Sequence, residues 1–122
     1  VWVNKRRFGE EAERLAEAFL ERSNYRILER NYRCHYGEID LIAEEKGTLV
    51  FVEVKARRSK VYGLPYEAVT NRKIKKLVQV ALHYLQTHRL YGKVPVRFDV
   101  VSLELYRDEP VIEIIKGAFH LE

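Results

Sequence analysis

The sequence predicts an α/β domain: one mixed β-sheet flanked by helices, in the order α-β-β-β-α-β-β. Three observations carry this. Residues 8–23 and 70–88 repeat apolar side chains at the spacing of an amphipathic helix. Gly37-Glu38-Ile39-Asp40-Leu41-Ile42 and Val50-Phe51-Val52-Glu53-Val54-Lys55 read as two strands either side of a short turn. The 122 residues, 47% of them hydrophobic, make a single domain over 1–122 with room for a core.

Each element has its own justification. In the first helix, Phe8 to Ser23, the residues Phe8, Ala12, Leu15, Ala16, Phe19 and Leu20 share one face, while Glu10, Glu17 and Glu21 point elsewhere. Glu13 falls beside Leu20 on the border of that stripe, from where it can reach toward whatever the helix packs on; a boundary ion pair with an arginine is the plainer reading. Tyr25 to Cys34 reads as a first strand, with Tyr25, Ile27 and Glu29 on alternate positions. A hairpin from Gly37 to Arg57 follows, then a loop from Ser59 to Pro65 containing Gly63. Thr70 is placed to cap a second helix running to His88, with Ile74, Leu77, Val78, Ala81, Leu82 and Leu85 as its buried stripe. Val96 to Leu105 and Val111 to Lys116 are the last strands, joined by a turn at Asp108-Glu109-Pro110.

The hairpin carries the chemistry. Its second strand is apolar on both faces, as a central strand is, and a carboxylate and an amine at its end are costly to bury unpaired. A two-residue loop at Lys46-Gly47 pairs Glu45 with Thr48. Counting outward, Asp40 faces Glu53 and Glu38 faces Lys55. Directly opposed residues hold their Cβ atoms about 4.5–5.5 Å apart. Two facing carboxylates repel unless a divalent cation sits between them, and oxygen-rich sites of this kind suit Mg²⁺ or Mn²⁺. A three-residue loop would move Asp40 to the other face. In the plainer alternative, Asp40 and Glu53 are solvent-facing positions paired to Lys55 and Arg57, and spacing alone does not separate the two.

Charge points to a polyanionic partner. The net charge is +4, but residues 55–76 hold eight basic residues against one acid. That segment is +7 and the rest of the chain −3. Arg57, Arg58 and Lys60 continue from the candidate strand. Arg72, Lys73, Lys75 and Lys76 crowd the start of the second helix, where each exposed cation opposes the helix dipole by about 0.3–1 kcal/mol. An unfavourable placement repeated in this way favours an external anion. Nucleic-acid phosphate fits, with Tyr62 and Tyr66 available for stacking. For any one of these lysines a solvated helix face is the plainer explanation; the cluster argues otherwise.

Other signals are negative. Cys34 is the lone cysteine, so a disulfide framework is excluded and a reducing cytoplasm is expected. Cys34-His35 lacks further ligands at zinc spacing, and His83 and His88 are expected on the surface. No run has the length of a membrane span, and no secretory leader is expected near Val1.

Asp40 followed by Glu53-Val54-Lys55 resembles the D…(E/D)-x-K core of the PD-(D/E)XK nuclease superfamily. More specifically, the chain resembles the YraN-like family of uncharacterised bacterial proteins, which are similar to Holliday-junction resolvases of that superfamily. The resemblance covers nearly the whole chain. It rests on Gly9 with Glu13-Arg14-Leu15-Ala16, on both hairpin runs, on Tyr62-Gly63 with Pro65, on Lys73, on Arg97-Phe98-Asp99-Val100-Val101 and on Ala118-Phe119. Ile39 stands where the superfamily has its proline, and Ala12 precedes Glu13 where the family usually has glycine.

The resemblance implies a restriction-endonuclease-like sheet and a metal-dependent endonuclease acting on DNA, on branched or repair intermediates, as a possible homodimer. It implies that Asp40, Glu53 and the Val54 carbonyl hold Mg²⁺ or Mn²⁺, with Glu13 reaching the metal directly or through water. Glu13 is preferred over Glu10, whose helical angle points it to solvent. Lys55 would orient the attacking water or stabilise charge at phosphorus. Glu38 would tune Lys55 or form a structural ion pair. The alternative from another class is a catalytically silent nucleic-acid-binding or scaffold module with the same fold. A third reading, a hydrolase of small phosphate esters, is disfavoured by the basic segment.

Overall fold

The computed structural model describes residues 5–58 and 70–120. The elements are α1 (Lys5–Arg22), β1 (Arg26–Cys34), β2 (Gly37–Glu45), β3 (Thr48–Arg57), α2 (Asn71–Thr87), β4 (Val96–Glu104) and β5 (Val111–Phe119). The expected order α-β-β-β-α-β-β is the observed one. The loop at Ser59 to Pro65, with Lys60, Tyr62 and Tyr66 nearby, lies outside the described residues.

The five strands form one sheet in the order β1-β2-β3-β4-β5. Among these pairs only β3 and β4 run parallel. A parallel pair needs a crossover, and α2 lies in that connection. The chain therefore carries β3 in the middle of the sheet, where its consecutive buried residues Leu49 to Glu53 meet helices on both faces. On one face Leu41, Ala43, Val50, Val52, Val101 and Leu103 pack with Ala16 and Leu20 of α1. On the other, Ile42, Phe51 and Phe98 pack with Leu77, Val80, Ala81, Tyr84 and Leu85 of α2. Each Val, Leu, Ile or Phe among them contributes about 1.5–3 kcal/mol when fully buried.

Both helices end in the same way. Asn24 takes φ 70° after α1, and the Tyr25 N–H donates to the Leu20 carbonyl at 3.0 Å. Arg89 takes φ 57° after α2, and the Leu90 N–H donates to the Leu85 carbonyl at 2.7 Å. In each case the residue past the cap packs with the residue it bonds, a Schellman stop closed by a hydrophobic contact. Thr70 caps the start of α2 by accepting from the Lys73 N–H at 3.3 Å, as the sequence predicts.

The hairpin register is also the predicted one. Lys46 (φ 50°) and Gly47 (φ 84°) form the two-residue turn, and Glu45 pairs with Thr48. Two strands depart from expectation. In β1 the pairing shifts between Ile27 and Glu29, so the simple alternation from Tyr25 fails; Ile27 joins the α1-side core and Leu28 the α2-side core. β5 continues past Lys116 to Phe119 because Gly117, at φ 62°, absorbs a register shift opposite Phe98 and Val100.

Candidate functional site

The site begins where the hairpin ladder stops. Pairing between β2 and β3 ends at Leu41 and Val52. One residue further the Asp40 carboxylate, rather than a backbone carbonyl, accepts the Val54 N–H at 2.7 Å. Alternation in β2 breaks at the same point: Leu41 packs on the α1 side, while Ile39 joins the α2-side core. The two strands part there, and Asp40 stands in the opening. Because the N–H and carbonyl of one strand residue project to the same side, the Val54 carbonyl is directed toward Asp40 as well.

Glu53 comes up from β3 on the side of α2 and is only 4% exposed. Its Oε2 lies 2.5 Å from the Lys73 Nζ and 3.6 Å from the Lys55 Nζ. Lys73 is brought there by the first turn of α2, whose uncompensated N–H groups also favour negative charge. A cleft of about 370 Å³ opens over this group, bordered by Glu38, Asp40, Glu53, Arg72, Lys73 and Lys76.

Electrostatics follow from that crowding. Burial, then the adjacent Glu53 charge, push the Asp40 carboxyl up to about 8, although the Val54 N–H pulls the other way. The two carboxyls share a hydrogen bond that needs a proton. Burial, then the neighbouring Lys73, hold Lys55 below the ordinary lysine range. Burial also acts to lower Lys73, but its bonds to Glu53 outweigh that and hold it above the ordinary range.

The other candidate residues take separate positions. Glu13 is half-buried, and burial, then the charge of Glu38, raise its carboxyl against a hydrogen bond from Asn31. It lines a separate shallow cleft with Arg14, Glu17, Arg30 and Asn31, so it stands beside the Asp40–Glu53 pair rather than in the same opening. Among the described residues no three His, Cys, Asp or Glu side chains are grouped closely enough to hold a metal ion. Glu10 is exposed, as expected. Glu38 does not face Lys55. It pairs across β1 with Arg33 at 2.8 Å, because the β2–β3 ladder has already ended. Arg57 lies over Tyr106 and Arg58 over Phe8, with guanidinium-to-ring distances of 5.9 and 4.7 Å. Arg72, Lys75 and Lys76 are exposed on α2. His83 is half-buried against Tyr32 rather than on open surface, and His88 is exposed and stacks on Tyr84.

A second polar group was not legible in the sequence. The Arg97 Nε donates to Asp99 at 2.8 Å and its Nη2 to Glu45 at 2.6 Å; Lys116 reaches Glu45 at 2.7 Å, and the Tyr25 hydroxyl donates to Asp99 at 2.7 Å. Asp99 also accepts the Gly117 N–H at 3.0 Å. Burial, then Asp99, push the Tyr25 hydroxyl up. Two acids and two bases balance, and the network ties the α1–β1 link, β2, β4 and β5 together. Its one signal in the sequence is Arg97 and Asp99, two apart on a strand that is otherwise apolar from Val96 to Val101.

The architecture and site define an α/β domain with an acidic pair and two lysines at a fork between central strands. The family model described as "Uncharacterised protein family UPF0102" matches residues 12–103. A UPF0102 protein of Syntrophus aciditrophicus is 51% identical over 94% of this chain and 90% of its own length. One from Moorella thermoacetica is 47% identical over 96% and 98%, and one from Caldicellulosiruptor saccharolyticus 44% identical over 96% and 100%. The chain belongs to the UPF0102, or YraN, family. Among the described residues no helix is long and apolar enough to cross a membrane.

Proposed function

We propose that this protein is a divalent-metal-dependent endonuclease that hydrolyses phosphodiester bonds in DNA. The observation that carries the reading is the Asp40–Glu53 pair: a half-buried carboxyl, pushed up to about 8 by burial and by its neighbour, beside a buried one. Such a pair is strained when both groups ionise, and a divalent cation relieves the strain. The donors are hard oxygens, two carboxylates with the Val54 carbonyl directed at them, which fits Mg²⁺ or Mn²⁺ with waters completing the shell. When bound, the cation would polarise a phosphate oxygen and lower the pKa of a water.

The chain's own groups supply the rest. Lys55, held below the ordinary lysine range by burial and by Lys73, is suited to orient a water or to stabilise charge at phosphorus. Lys73 neutralises Glu53 and offers a donor to a phosphate oxygen. Arg72 and Lys76 border the cleft and would hold flanking phosphates. Glu13 is suited to a hydrogen-bonding role through water from the neighbouring cleft.

A catalytically silent nucleic-acid-binding module remains the second reading, favoured by two observations. Lys73 already satisfies Glu53 at 2.5 Å, and Glu13 lines a different cleft. The test is a cleavage screen with Mg²⁺ and Mn²⁺ over duplex, single-stranded, flapped and four-way DNA. The nuclease reading expects metal-dependent cutting of at least one substrate, lost in Lys55→Ala. Binding without cutting under every condition would favour the silent module.

A further inference from the structure

Two clefts lie along one face of α2. The first is the carboxylate cleft, bordered by Arg72, Lys73 and Lys76. The second, of about 250 Å³, is lined by His35, Tyr36, Gln79, Leu82, His83 and Gln86. Lys76, Gln79, His83 and Gln86 follow at steps of three and four residues, so they form one stripe on the helix. On the facing wall the chain runs directly from His35 and Tyr36 in one cleft to Gly37 and Glu38 in the other. Lys76 to His83 is about 10 Å along the helix axis.

The second cleft suits a flat ring. The His35 and Tyr36 rings lie 4.0 Å apart, and His83 meets His35 edge-on at 6.0 Å. Tyr32 holds the His83 Nδ1 at 2.7 Å and is itself packed edge-on against Tyr84 of the core, which fixes the imidazole. Tyr36 is 42% exposed, so its ring is not part of the core. Gln79 and Gln86 offer both donors and acceptors, as the edge of a nucleobase requires. Among the described residues no Asp, Glu, Lys or Arg lines this cleft. This lining suits an uncharged ring better than a phosphate.

We propose that this cleft is a nucleobase subsite: it seats an unpaired base of a strand whose phosphates run past the carboxylate cleft. The proposal rests on the nuclease reading and narrows its substrate class to DNA with unpaired nucleotides beside the cut. A paired base keeps its faces in the duplex stack and cannot enter without being flipped out.

The test is equilibrium binding, with chelator present to prevent cutting and at one fixed salt concentration. The probes are a blunt duplex, the same duplex with a short single-stranded extension at either end, and the same extensions made abasic. The variants are Tyr36→Ala, Tyr36→Phe and His83→Ala. The parent is expected to prefer a base-bearing extension to the abasic one by roughly 5- to 150-fold, the usual scale of one base–aromatic stack. Tyr36→Ala should abolish that preference and leave blunt-duplex affinity unchanged, whereas Tyr36→Phe should keep it. His83→Ala should weaken it. A parent that binds all the DNA forms alike, or a preference untouched by Tyr36→Ala and His83→Ala, overturns the subsite and leaves the nuclease reading standing. A parent that binds none of the probes overturns both.

Discussion

Asp40 concentrates the site's electrostatics in one side chain. Its carboxyl accepts the Val54 N–H, which favours the charged form, yet burial and Glu53 win and push it up to about 8 from an ordinary value of 3.8. The sign of the consequence is fixed by linkage. Between 3.8 and about 8 the folded chain holds a proton that the unfolded chain has released. Stability without metal therefore falls as pH rises through that window, and the loss is complete above it. Asp40→Asn keeps an oxygen for Val54 and removes the charge. The variant is expected to be more stable than the parent at pH 8 in chelator, by about 1–3 kcal/mol, with the difference shrinking toward pH 5. Thermal unfolding across that range checks this; a constant difference would mean that Asp40 is already ionised in the folded protein.

The hairpin that delivers Asp40 to Glu53 depends on a turn of two residues. Both have positive φ, and a non-glycine residue in that region is strained by about 1–2 kcal/mol. Lys46 already bears this cost, while Gly47 does not. Gly47→Ala meets no atom within 4 Å of the added Cβ, so the effect is backbone strain alone. A drop in stability of about 1 kcal/mol is expected, read as a lowered denaturant midpoint with an unchanged slope. A larger drop would mean that the register of the site had slipped as well. This turn was legible from Lys46-Gly47 and the alternation beside it, and with it the pairing as far as Leu41 and Val52; the fork beyond them was not. The shift at Leu28 and the Gly117 extension of β5 were not legible. Both are set by pairing with a neighbouring strand, and local periodicity does not record them.

At the scale of the molecule, the crossover from β3 to β4 decides which charges meet. The sequence separates an acidic hairpin from a basic helix by a dozen residues and more. The fold docks the start of α2 over the hairpin, so Lys73 joins Glu53 at 2.5 Å while Arg72 and Lys76 border the same cleft. The acidic and basic groups were legible as residue types, but the docking that merges them is tertiary. So is the closure of Tyr25, Arg97, Asp99, Glu45 and Lys116 into one network. A division into catalytic and binding residues consequently passes through Lys73, and Arg72 and Lys76 are the cleaner probes of phosphate binding. Arg72→Glu with Lys76→Glu is expected to weaken DNA binding and to flatten its dependence on salt, by up to about 0.9 in slope for each duplex phosphate that the protein no longer neutralises. An unchanged slope, measured by titration at several salt concentrations, would move the nucleic-acid surface away from this cleft.

Calorimetric titration of Mn²⁺ near pH 7 asks whether the Asp40–Glu53 pair is a cation site. Burial and the Glu53 charge push the Asp40 carboxyl up to about 8, so Asp40 carries a proton at that pH. The parent is expected to bind Mn²⁺ and to release that proton, seen as a binding heat that varies with the ionisation enthalpy of the buffer. Asp40→Asn and Glu53→Gln should each weaken affinity at least tenfold, while Glu10→Gln binds as the parent does. Mn²⁺ affinity that is absent in the parent, or unchanged in Asp40→Asn and Glu53→Gln, would mean that this pair holds no cation.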